Sequence, residues 1–213
     1  MKKTITNTVI GCVAFIALVL GLALNRFLSP AQMSQTELSE NGLFVYEVPR
    51  RFDGFTLTDE NGQPFTEAWF DGSWSLVFFG YTFCPDICPI TLATIRQFEQ
   101  LLADTEAANT TQVLMISVDP QRDTPEKLKS YMAFFGEDYK GATGEYIDIF
   151  NFARQLNVAF GYLPQGDDGE YLVNHSGEIA LINPEGHFHG FFKMPHDPEK
   201  MALTFRAVLA SWR

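Results

Sequence analysis

Cysteine is scarce in this chain: three residues, Cys12, Cys84 and Cys88, among 213. That excludes a disulfide-stapled scaffold, which needs several bridges to make up for a small core. Basic residues are also few, 15 Lys and Arg against 26 Asp and Glu, giving a formal net charge of −11. A surface of that sign repels phosphate backbones, so no nucleic-acid partner is expected. No repeat or low-complexity tract is present, which leaves no basis for a repeat array. What the chain does have is aromatic bulk, 20 Phe, 7 Tyr and 3 Trp, within an apolar content of 46%. Such a composition excludes disorder and suffices for one globular domain.

Ile5 to Leu24 carries no charge, and at 1.5 Å rise per helical residue it would reach roughly 30 Å, the thickness of a bilayer's hydrocarbon core. Lys2 and Lys3 precede the run and only Arg26 follows it closely. The positive-inside bias then puts the N-terminus in the cytoplasm and the rest across the membrane. The expectation is a single transmembrane helix within an anchor over residues 1–26, a tether over 27–42 and an exported domain over 43–213. The rival is a cleaved signal peptide, for which Ser29-Pro30-Ala31 is a poor cleavage pattern. Cys12 lies inside the apolar run rather than after it, so it reads as a small apolar residue of the helix and not as a lipid-attachment site. Without an Arg-rich leader, a bacterial inner membrane with the domain in the periplasm is favoured over an organelle.

Within the domain, Phe55 to Thr58 reads as a short strand entering a turn at Asp59-Glu60-Asn61-Gly62. Ser75 to Tyr81 is almost continuously apolar, as a strand covered on both faces would be. Leu92, Ile95, Phe98 and Leu101/Leu102 then recur at helical spacing, and Pro89 suits a first helical position with Cys88 as N-cap. Gln112 to Asp119 is a second buried strand, followed by a helix that Thr124-Pro125 opens and Gly136 ends. Asp148 to Val158 reads as a helix. Ile179–Ile182 and His187–Phe192 flank a turn at Asn183–Gly186, and Asp197-Pro198 opens a last helix. The order β-α-β-α-β-β-α around a cysteine junction is an α/β, thioredoxin-like layer fold.

Cys84 and Cys88 sit at a strand-to-helix junction, where the helix N-terminus favours thiolate over thiol. Thiolates attack disulfides and bind soft metals. The three-residue gap, stiffened by Pro85 and Pro89, permits a wider bite than a two-residue gap, while a disulfide stays sterically possible. A third ligand is sought among four histidines. His175 stands in a polar turn before the strand at Ile179, and if that sheet end bears the cysteines, Cys84, Cys88 and His175 make a set of two sulfurs and one nitrogen. Such a set suits copper, as Cu(I) or with a weaker fourth ligand as Cu(II), and zinc is compatible too. A structural disulfide and a redox couple of Cys84 and Cys88 stay open as alternatives. His187 and His189 share a strand face and read as solvated, and His196 belongs with loop or cap chemistry. The Met residues are scattered, with Met115 and Met201 as core filler, and Asp119 is a candidate for supporting the site or touching a partner. A peroxidase reading is weak, because no Arg lies between Ser75 and Thr94.

Three segments together resemble the Sco/SenC family of membrane-anchored copper proteins: Gly80-Tyr81-Thr82-Phe83-Cys84-Pro85-Asp86-Ile87-Cys88-Pro89, Ser117-Val118-Asp119-Pro120-Gln121-Arg122-Asp123-Thr124-Pro125-Glu126, and Asn174-His175-Ser176. The resemblance runs from the anchor to the last helix. It implies a thioredoxin-like metallochaperone rather than an enzyme, binding one copper through Cys84, Cys88 and His175. It further implies help in assembling the dinuclear copper centre of cytochrome c oxidase subunit II, with an upstream copper donor. Some members of the family act mainly as thiol reductants or redox sensors through the cysteine pair. The residue before the histidine is commonly Asp in the family and is Asn174 here, one negative charge fewer.

Overall fold

The structure is a computed structural model that describes residues 10–21, 33–103, 105, 111–165 and 170–212. The chain divides into two compact units, Met1–Gln32 with Ala207–Arg213, and Met33–Arg206. In the first unit, helix α1 covers residues 10–21 and is exposed throughout. Among the described residues no helix is long and apolar enough to cross a membrane. Residues 5–9 and 22–24 of the expected span lie outside the described residues, as do residues 27–32 of the expected tether.

The second unit is built on an eight-stranded sheet in the order β1-β10-β9-β4-β5-β6-β2-β3. Its strands are β1 (Leu43–Arg50), β2 (Leu57–Asp59), β3 (Pro64–Phe65), β4 (Trp74–Gly80), β5 (Thr111–Ser117), β6 (Lys140–Thr143), β9 (Ile179–Ile182) and β10 (Phe188–Phe192). A separate two-stranded sheet joins β7 (Phe160–Gln165) to β8 (Glu170–His175). The helices are α2 (Gln35–Glu40), α3 (Ile87–Leu102), α4 (Pro125–Phe135), α5 (Tyr146–Gln155) and α6 (Pro198–Ser211).

β4 is the expected central strand. Every one of its residues is buried, and it pairs in parallel with β5 and antiparallel with β9. A continuous apolar run forms such a strand because helices cover both of its faces. Trp74 meets Phe205 of α6 at 5.6 Å between ring centroids, and Phe205 meets Phe98 of α3 at 5.5 Å. Phe79, on the opposite face by strand alternation, meets Phe152 of α5 at 6.0 Å. The unit is therefore three layers, helix on sheet on helix, with the aromatic side chains filling both interlayer spaces. Gly80 lies on the Trp74 face, and a β-carbon added there would come within 2.9 Å of Cys88 Sγ and 3.2 Å of Phe78. The end of the central strand is thus bare so that α3 can bring its cysteine against it.

Several elements depart from the sequence reading. β1 was not expected: it is an edge strand with the irregular burial pattern Beiieeie and carries Pro49, so no period of two marks it. β3 and β6 are two and four residues long, too short to carry a periodicity. Residues 35–42, expected in the tether, are folded. Ser34 and Glu37 form a reciprocal capping box at the start of α2, Leu38 is buried, and the Lys193 ammonium donates to Ser39 Oγ at 2.7 Å. His189, read as solvated, is buried with its ring 5.0 Å from that of Trp74, and burial pushes its pKa down to about 4.

Replacing Gly80 by Ala is expected to lower unfolding stability by about 1–3 kcal/mol through overpacking, read as a fall in the denaturant midpoint. An unchanged midpoint would mean that Cys88 does not rest against the strand end.

Candidate metal centre

The cysteine segment follows β4. After Gly80 the chain turns, with the Cys84 amide donating to the Tyr81 carbonyl at 3.2 Å, and α3 begins at Ile87 with Asp86 as N-cap. The expectation that the helix starts at Pro89 with Cys88 as cap is corrected by two residues. Proline is tolerated anywhere in a first turn, where its missing N–H has no intrahelical acceptor. Cys88 is therefore helical, and its own free amide donates to Cys84 Sγ at 3.5 Å. One thiol caps the turn that carries the other.

Asp123 holds the segment from beneath. Its carboxylate accepts from the Thr82 amide at 3.0 Å, the Thr82 hydroxyl at 2.5 Å and the Ser117 hydroxyl at 2.6 Å. The residue is buried. It was not singled out from the sequence, although it stands in the Asp119-Pro120-Gln121-Arg122-Asp123-Thr124-Pro125 run. Asp119 is buried too, bonded to Arg122 and Tyr171, so it supports the structure and is not placed to touch a partner.

His175 arrives from elsewhere. It is the last residue of β8, paired with Phe160 of β7, and not part of a polar turn as expected. Gly161 and Pro164 break the β7 pattern, which is why the hairpin escaped the sequence reading. Along β8, Tyr171, Val173 and His175 alternate onto one face, while Leu172 and Asn174 are exposed on the other. The side chain at 174 thus points away from the thiols, and the missing charge of Asn174 is not a missing contact. Val173 is buried, its amide donating to the Tyr81 hydroxyl at 3.3 Å.

The outcome is convergence. The two sulfurs and a ring nitrogen of His175 all lie within 4.8 Å of one another, with Cys88 Sγ 3.6 Å from His175 Nε2. No other cluster of three or more His, Cys, Asp or Glu among the described residues is so arranged. His175 Nδ1 donates to the Ser176 carbonyl at 3.0 Å, which fixes the ring with Nε2 turned toward the sulfurs. Three such donors around one ion at ordinary bond lengths are roughly 3.5–4 Å apart, so the spacing needs little adjustment to hold a soft metal. His187 pairs with Glu185 at 3.3 Å and His196 Nε2 donates to the Gly177 carbonyl at 2.8 Å. Met115 and Met201 are core residues as expected.

The two thiols are electrically unequal. A hydrogen bond from Cys88 holds the Cys84 thiol far down, to about 3, opposed by burial and aided by His175 and by the amides of Asp86 and Cys88. The Cys88 thiol is pushed up because it supplies that proton and is itself buried. Cys84, half-buried, is the accessible thiolate, and Cys88 is the proton-bearing partner beneath it. Both are free rather than joined.

Residues 48–210 match the SCO1/SenC family. The chain belongs to that family. A protein of Stutzerimonas stutzeri is 36% identical over 160 residues, covering 74% of this chain and 76% of its own. The mitochondrial SCO2 homolog of Mus musculus is 33% identical over 158 residues, covering 74% of this chain and 62% of its own length. The chain thus spans less than two thirds of that mitochondrial relative. Among solved structures, yeast Sco1 with copper bound superimposes with a TM-score of 0.70 at 32% identity, covering 78% of this chain and 91% of that one. The thioredoxin-like α/β fold expected from the order of elements is the fold of these relatives.

Alkylation by iodoacetamide should modify Cys84 first, at a rate that stays nearly flat from pH 8 down to about 4 and falls only as pH approaches its depressed pKa of about 3. Peptide mapping of the labelled chain checks this. A rate that climbs tenfold per pH unit between 6 and 8 would show an ordinary thiol instead.

Proposed function

We propose that this protein is a copper metallochaperone. It binds one copper ion as cargo through Cys84 Sγ, Cys88 Sγ and His175 Nε2 and passes it on during assembly of the dinuclear copper centre of cytochrome c oxidase subunit II. The single observation that carries the reading is the convergence of two sulfurs and one imidazole nitrogen within 4.8 Å. Thiolates are soft donors and favour copper, and three donors leave an open position through which a recipient's ligand can attack the ion. The yeast relative's structure holds copper, and membership in the family supports oxidase assembly as the setting. Residues 1–26 anchor the domain to a bacterial inner membrane, with the domain on the periplasmic side. Confinement there raises its effective concentration toward a membrane-bound recipient.

A second reading rests on the inequality of the thiols. A depressed Cys84 beside a protonated Cys88 is also the arrangement of an attacking and a resolving thiol, so a thiol-disulfide oxidoreductase acting on the recipient's cysteines would use the same pair. His175 separates the two. The purified, reduced full chain is expected to bind one copper with sulfur-to-copper charge-transfer absorption, and Cys84→Ser or Cys88→Ser to abolish tight binding. His175→Ala should weaken Cu(II) binding strongly and, in cells lacking the native protein, lose oxidase activity. Normal oxidase activity in a His175→Ala strain whose protein holds Cu(II) poorly would favour the oxidoreductase.

A further inference from the structure

The β7–β8 hairpin shares no backbone ladder with the main sheet, yet its last residue must reach thiols in a segment 87 residues earlier. What fastens it is side-chain chemistry. The Tyr162 hydroxyl donates to the Val118 carbonyl at 3.1 Å, and the Tyr171 hydroxyl donates to Asp119 Oδ1 at 2.6 Å. The other oxygen of Asp119 accepts from Arg122 Nε at 2.5 Å. The Arg122 guanidinium lies over the Tyr171 ring at 3.7 Å and within 5.0 Å of the Phe83 ring centroid. Tyr171 is four residues before His175 on the same face of β8, and Phe83 adjoins Cys84. Arg122 therefore touches both halves of the site while its charge is neutralised by a buried carboxylate.

We infer that Arg122, Asp119 and Tyr171 form a latch that positions His175 over the cysteine loop, and that this latch sets the preference of the site between copper oxidation states. The inference rests on the copper reading. Two thiolates satisfy Cu(I), which is soft and accepts low coordination, whereas Cu(II) needs the imidazole as well. Loosening the latch withdraws the imidazole alone, so Cu(II) suffers and Cu(I) is spared. Tyr171 and Arg122 are positioning residues: neither reaches the ion, and both act through His175.

Tyr171→Phe removes the hydroxyl and keeps the ring. In the purified full chain without metal, amides of residues 160–163 and 171–175 should exchange with solvent about tenfold faster while those of β4 and β5 are unchanged. On copper loading, Cu(II) affinity should fall about 10- to 100-fold and nitrogen hyperfine structure should fade from the electron paramagnetic resonance spectrum, with Cu(I) affinity changed less than about threefold. In a His175→Ala background the same substitution should change neither affinity further, because the residue it acts through is gone. Arg122→Lys, which keeps the ion pair and loses the planar stack, should give an intermediate effect and is read in the same way should Tyr171→Phe not fold. Unaltered exchange, an unaltered nitrogen signature, or an equal loss in the His175→Ala background would each overturn the latch. If the parent chain itself shows no thiolate-ligated copper, the copper reading fails instead, and the exchange measurement alone then decides whether the latch exists.

Discussion

Asp123 accepts three hydrogen bonds within the fold, two from Thr82 and one from Ser117, and through them the loop after β4 is tied to the end of β5. Hydrogen bonds to a charged acceptor contribute about 1.5–3 kcal/mol each, and a buried carboxylate deprived of them would be left uncompensated in a poor solvent for charge. The loop cannot shift without breaking this arrangement. Because Thr82 is two residues from Cys84, and because the Cys84 sulfur in turn accepts the Cys88 amide, the carboxylate determines where both thiols stand. The bareness of Gly80 completes the constraint from the other side, since Cys88 packs against the strand end that Gly80 leaves open.

The same geometry explains why the thiols differ. Cys84 is solvent-accessible and surrounded by donors, whereas Cys88 is under it, buried, and keeps a proton. A bound metal would displace that proton and equalise the pair; without metal, the inequality is the one that attack on a disulfide would use. The proposed copper handling and its alternative, thiol exchange, would thus draw on one electrostatic arrangement. His175 is the feature that thiol exchange does not require, and its Nδ1 bond to the Ser176 carbonyl orients it for a ligand's task.

How much could be read from the residues alone varies with how local the controlling interactions are. The central strand, the helix after the cysteines, the Thr124 cap and the hairpin turn at Asn183 all emerged at nearly their observed positions, because burial on both faces, capping and turn chemistry write themselves into a few consecutive residues. β1 and the β7–β8 hairpin did not, since a half-exposed edge strand and a ribbon broken by Gly161 and Pro164 carry no clean period. His189 was misjudged for a related reason: alternation tells which residues share a face, not whether a Trp74 two strands away in the sheet covers it.

The residue types of the site and the spacing of its two cysteines are properties of the chain itself, as is the βα junction that presents them, because each depends on neighbours within a turn or two. The approach of His175 is of another kind. It is decided by Tyr81, Asp119, Arg122 and Tyr171 meeting across the ends of two separate sheets, contacts between segments far apart in sequence that exist only once the layers have packed, so the residues alone offered His175 as a ligand only on the condition that its sheet end bore the cysteines, or through resemblance to a family.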